Sequence, residues 1–150
     1  MATKSSGFTL IELLVVVAII GILSSIGVVA YSGYVGAAKI SSTKSVMQQI
    51  ALMQTEYLSS AGGYYTTDAS GPTTCTTTDT KSDNIEIELF PAGTNDAGEA
   101  IGEDIITSEN DFLMCILETG PGYLIVAEND SGCKLTLSQA GILNDDECGD

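Results

Sequence analysis

Between Leu13 and Ala30 the chain carries no charge, and only Gly21, Ser24, Ser25 and Gly27 interrupt Leu, Ile, Val and Ala. A run of this length meets the criterion for a helix that crosses a bilayer. Immediately ahead stand Gly7-Phe8-Thr9-Leu10-Ile11-Glu12, so one carboxylate sits near the mouth of that helix. A carboxylate in hydrocarbon costs on the order of 2.5 to 3.5 kcal/mol and persists where it has a partner or serves a pathway. If the chain is cut between Gly7 and Phe8, the new amine lies four residues from Glu12, on the same helical face, with the complementary charge. That pair can close within one chain or between neighbours. Between neighbours it sets an axial register, because each acid is satisfied only by the next subunit's terminus.

The segment GFTLIELLVVVAIIGILSSIGVVAYSGY resembles the amino-terminal signature of type IV prepilins: a short leader with Lys4 that ends at Gly7, then Phe8 and Glu12, then a helix through Gly21 and Tyr31. The resemblance implies that a prepilin peptidase cleaves after Gly7 and N-methylates Phe8. It implies also that Glu12 pairs with the amine of Phe8 on an adjacent subunit, and that the amino end is cytoplasmic. By the same resemblance the precursor resides in the bacterial inner membrane and the product is an extracellular pilus filament. The implied partners are further copies of the chain in a helical homopolymer, the peptidase, and an inner-membrane assembly platform with its ATPase machinery. One departure is Val29, where many family members carry proline, a residue that kinks helices. Gly21, Gly27 and the pair Ser24-Ser25 are then the weak points of the helix. A plain secretory signal peptide accounts poorly for the segment, since its apolar core is shorter and carries no acid.

The helix is expected to continue to about Ser60. No proline occurs from Tyr31 onward, and Val46, Ile50, Met53 and Tyr57, with Met47, Ala51 and Leu58, recur at three- and four-residue intervals. Such a helix is about 80 Å long at 1.5 Å per residue, so its second half extends beyond a bilayer. Ala61-Gly62-Gly63 supplies its stop. A threonine-rich loop follows from Tyr64 to about Asn84. Four strands are then predicted: Ile85 to Leu89, alternating with Glu86 and Glu88; Phe112 to Leu117; Tyr123 to Ala127; and Cys133 to Leu137. Gly120-Pro121-Gly122 joins the second to the third, and Asn129-Asp130-Ser131-Gly132 the third to the fourth. An antiparallel sheet with one apolar face needs a cover, and the amphipathic half of the helix is the available one. The expected class is α+β: a leader over 1–7, a membrane-spanning and filament-core helix over 8–30, its amphipathic continuation over 31–60, and a disulfide-bonded head over 61–150.

Four cysteines, Cys75, Cys115, Cys133 and Cys148, all follow the apolar run, which reads as two disulfides in an oxidising compartment. Three connectivities are possible. The favoured one joins Cys133 to Cys148, tying the tail to the last strand, and Cys75 to Cys115, pinning the threonine-rich loop to the sheet. The resemblance supports the first bond more than the second. Neither a C-x-x-C pair nor any histidine is present, so no metal site is expected. The formal net charge of -15, with 20 acidic residues against 5 lysines, argues against direct nucleic acid binding, which needs clustered cations. No catalytic residue and no cofactor-binding motif is expected. The function expected is that of a structural pilus subunit, a major pilin, contributing to adhesion, twitching motility or DNA uptake at the level of the fibre. A pseudopilin of a type II secretion machine and a minor pilin are the alternatives.

Overall fold

A computed structural model of the 150-residue chain describes residues 7–68, 75–94, 100–106, 111–145 and 147–148. Lys4, Thr73, Thr74, Asp146 and Asp150 lie outside the described residues, as does the side chain of Val29. The chain divides into two compact units, 1–38 and 39–150. Helix α1 (Leu10–Ala61) begins in the first unit and ends in the second, and it runs without a break through position 29.

Inside the first unit no described side chain of α1 is fully buried, and most are exposed. Leu10–Gly27 is long and apolar enough to cross a membrane. The hydroxyls of Ser24 and Ser25 donate to the carbonyls of Ile20 and Ile22, both at 2.7 Å, so the two polar residues in the run are satisfied by their own helix.

The second unit contains the rest of α1, helix α2 (Asp79–Leu89), strands β1 (Pro91–Thr94) and β2 (Ala100–Gly102), and a sheet of β3 (Phe112–Thr119), β4 (Gly122–Asn129), β5 (Lys134–Ser138) and β6 (Leu143–Asn144). The four-stranded sheet has the order β3-β4-β5-β6 with every pair antiparallel, while β1 and β2 form a separate two-stranded ribbon. Val46, Met47 and Ile50 of α1 share one core with Phe112, Met114 and Ile116 of β3, Tyr123, Ile125 and Ala127 of β4, and Leu135 and Leu137 of β5. The stripe on the second half of α1 therefore covers the sheet. At the end of α1, Gly62 adopts φ +77° and its N–H donates to the carbonyl of Leu58 at 2.9 Å, a left-handed cap that most side chains would strain.

Two expectations need correction. The segment from Ile85 to Leu89 is not a strand but the end of α2, and the threonine-rich loop stops at Thr78 rather than near Asn84. Thr78 is the N-cap, its hydroxyl accepting from the N–H of Lys81 at 3.3 Å, and Asp79 places a negative charge in the first turn. Ile85 and Leu89, four residues apart, then face the core together. Glu86, which alternation assigns to a wet face, is only 6% exposed, because Oε1 accepts from the backbone N–H groups of Ile105 (2.8 Å) and Ile106 (2.7 Å). The chain passes so close here that a Cβ on Gly102 would lie 2.3 Å from the carbonyl carbon of Glu86. The fourth strand of the sheet is instead the short β6.

The near-continuous apolar character of β3 and β4 has a direct cause in burial on both faces. The face away from α1 holds Cys115, Leu117 and Val126, which pack with Cys75 in a second, smaller cluster. Disulfides join Cys75 to Cys115 and Cys133 to Cys148. The exposed edge of β3 is closed by side chains: the Met114 N–H donates to Ser82 Oγ and the Ile116 N–H to Thr67 Oγ1, both at 2.9 Å. An edge closed in this way offers no template for pairing with another sheet at those positions. Asn129 Oδ1 accepts from the N–H groups of Ser131 (3.0 Å) and Cys133 (2.9 Å), committing that side chain to the turn between β4 and β5.

Candidate functional site

Gly7, Phe8 and Thr9 precede α1 in non-helical conformation. A Cβ on Gly7 would meet nothing within 4 Å, and Phe8 is 83% exposed, so the Gly7–Phe8 bond is open on the described surface. Thr9 stands at the N-cap of α1 and Glu12 three residues on. The Glu12 carboxylate accepts from both the Thr9 N–H (2.8 Å) and the Thr9 hydroxyl (2.6 Å), while Thr9 Oγ1 faces the Glu12 N–H at 3.4 Å. This is a reciprocal capping box, which satisfies donors at a helix start that would otherwise lack partners. Thr9 is passed over when Glu12 is treated only as a charge in need of a cation. Its signal in the sequence is the spacing Thr9-Leu10-Ile11-Glu12, the S/T-x-x-E form of such a box.

The box answers hydrogen bonding and not charge. Among the described residues no cation pairs with Glu12, because the three ion pairs all lie in the second unit. Around the acid, Leu10, Ile11, Leu13 and Leu14 are between 57% and 81% exposed. An apolar surface of this extent requires hydrocarbon or other helices as its surroundings.

In the second unit, two ion pairs join α1 to the rest of the head, and a third ties α2 to the loop before it. Lys39 pairs with Asp111, Lys44 with Asp145 at 2.5 Å, and Lys81 with Asp68 at 2.7 Å. The Lys44 ammonium, through its hydrogen bond and its charge, holds the Asp145 carboxyl below the usual aspartate value. Burial acts in the opposite direction on Glu86, raising its carboxyl despite the two backbone donors, and nearby Asp104 and Asp83 add to the rise. Tyr65 is pushed up to about 12, first by burial and then by the charge of Glu88. Its backbone closes a two-bond clasp with the Gln54 amide, at 2.8 and 2.9 Å. No cluster of three or more metal-ligating side chains occurs among the described residues.

Residues 2–28 match the family described as the prokaryotic N-terminal methylation motif. The type IV major pilin protein PilE1 of Neisseria gonorrhoeae is 32% identical over 90 residues, covering 59% of this chain and 54% of its own. The fimbrial protein of Neisseria meningitidis serogroup A is 36% identical over 70 residues, 47% of this chain and 41% of its own. The type IV major fimbrial protein FimA of Dichelobacter nodosus is 44% identical over 55 residues, 37% of this chain and 33% of its own. The chain thus spans about half the length of these relatives or less. No solved structure is similar enough to match. The match places an N-terminal methylation motif at the start of an exposed apolar helix long enough to cross a membrane. Together with the similarities, this supports a type IV pilin precursor.

Proposed function

We propose that this chain is the precursor of a structural subunit, a major pilin, of a type IV pilus. The observation that carries this reading is the exposed apolar half of α1 bearing Glu12 at its mouth, within a segment matching the N-terminal methylation motif. Cleavage after Gly7 removes the leader 1–7 and creates an amine on Phe8, which is then methylated. The Thr9 cap meets the hydrogen-bonding need of Glu12 in a single chain, and the amine of Phe8 on an adjacent subunit supplies the missing charge. Loss of Lys4 with the leader takes the net charge from -15 to -16 before the new amine is counted.

Residues 8–30 act first as the membrane anchor and then as the filament core; 31–60 carry the helix into the head, and 61–150 face solvent. Transfer of an apolar helix from lipid to a helical core gains little hydrophobic free energy, so packing and the Glu12 pair provide the selectivity. A prepilin peptidase and an inner-membrane assembly platform with its ATPase are the machinery this cycle requires. The precursor lies in the inner membrane and the assembled product outside the cell, where it serves adhesion, motility or DNA uptake as a fibre. Electron microscopy of cells with and without the gene tests the proposal: loss of surface fibres supports it, and unchanged fibres with impaired protein secretion would point to a secretion pseudopilin. Gly7→Glu is expected to leave full-length precursor on a denaturing gel, and normal processing of that variant would contradict the cleavage site.

A further inference from the structure

Beyond the leader the chain has four lysines, Lys39, Lys44, Lys81 and Lys134. The first three are consumed by ion pairs inside the head, with Asp111, Asp145 and Asp68. Among the described residues Lys134 alone of these has no ion-pair or hydrogen-bond partner for its ammonium. It opens β5 in register with Glu128 of β4, on the sheet face opposite the core residues Leu135 and Leu137. A strongly acidic head therefore has one uncommitted cation with which to contact another acidic head.

The complementary feature is a groove of about 190 Å³ whose walls include Met53 and Tyr57 of α1, Leu89 of α2 and Pro91 of β1, with Glu56 and Glu88 also lining it. Both glutamates are exposed, and neither carboxylate has an ion-pair or hydrogen-bond partner among the described residues. An apolar wall beneath two unpaired carboxylates suits one kind of occupant, a side chain with an aliphatic stem and a cationic tip. The groove and the lysine occupy different parts of the head. Helix α2 packs beside β3, one edge of the sheet, through Ser82 and Met114, whereas β5 lies toward the other edge, next to β6. Two dissimilar, complementary patches on one molecule make a heterologous contact, the kind that propagates into an open helical polymer instead of closing into a dimer.

We propose that Lys134 of one subunit inserts into the Glu56–Glu88 groove of a second copy of this chain, as a head-to-head contact of the filament; the proposal rests on the pilus reading. The test is a charge exchange in the full-length chain, read as sheared fibre yield per unit of processed subunit, which separates assembly from folding. Lys134→Glu is expected to lower that yield about fivefold, near the upper range of one exposed ion pair, and Lys134→Gln to lower it less. Combining Lys134→Glu with Glu88→Lys is expected to restore it. Wild-type yield from Lys134→Glu would overturn the contact, and so would loss without rescue, which would assign the groove to another occupant. Absence of fibres from the unaltered chain would overturn the pilus reading together with the contact, whereas the other two failures leave that reading intact.

Discussion

The two units of this chain use apolar residues in opposite ways. In the unit 1–38 the large apolar side chains from Phe8 to Ile26 are 48% exposed or more. In the unit 39–150 the core residues, among them Met47, Ile50, Phe112, Ile125 and Leu137, are 3% exposed or less, and most of the described acids lie outside, with Glu86 the buried exception. The first unit leaves its apolar surface to surroundings outside the chain, which under the proposed function are lipid and other subunits; the second buries its own core. Stability and assembly are therefore written in different places, and substitutions should separate them.

Truncating the core should have the largest effect. Ile125→Ala, at a fully buried position on β4, is expected to destabilise the head by about 2–5 kcal/mol in denaturant titration of the full chain in detergent. Val17→Ala, at a residue 57% exposed in the first unit, should leave the same titration unchanged. A measurable loss from the second change would break the contrast. Removing the bond between Cys133 and Cys148 by a paired change to alanine should cost about 3 kcal/mol, the chain-entropy value for a loop of 15 residues. Gln54→Ala unmakes both bonds to the Tyr65 backbone, and a loss of about 1–3 kcal/mol in the same titration is expected.

The pH dependence sharpens the contrast within the head itself. Glu86 is raised in the folded state by burial, so the native protein binds its proton more readily than the unfolded chain does. Its contribution is greatest below the ordinary glutamate value and is lost as pH rises through the elevated one. Asp145 has the opposite sign: lowered by Lys44, it contributes above the ordinary aspartate value, and that contribution fades as pH falls. Glu86→Gln keeps an oxygen to accept from Ile105 and Ile106 and removes the titration. Melting measured across the acidic range should then lose the decline with rising pH that Glu86 causes, while Lys44→Gln removes only the share of the decline toward acid that Asp145 contributes. An unaltered profile in Glu86→Gln would show that the buried carboxyl is not raised.

Most of the α+β head is legible in the sequence because its signals are local. Gly62 marks the end of α1, the apolar runs mark β3 and β4, and Gly120-Pro121 falls at their turn. The region 79–89 is misread because Ile85, Ile87 and Leu89 satisfy a two-residue alternation over five positions, too short a window to exclude a helix. What decides it is a cap at Thr78 and, above all, a tertiary bond: Glu86 is buried by donors from Ile105 and Ile106, which no local pattern announces. The same holds for Gln54, a polar residue with no exposure on the buried face of α1, whose partner is the Tyr65 backbone. At the amino end the chemistry of Gly7, Phe8 and Glu12 is visible as a motif, whereas the Thr9 cap emerges from the geometry of the helix start.

The division of labour turns on one side chain, Glu12, the one charged side chain among the described residues of a largely apolar unit. The direct measurement is Glu12→Val in the cells that express this chain, scored by gel for removal of the leader and by electron microscopy for surface fibres. Processed subunit is expected to stay in the membrane, with fibres lost or strongly reduced. Normal fibres built from the Glu12→Val subunit would contradict that division.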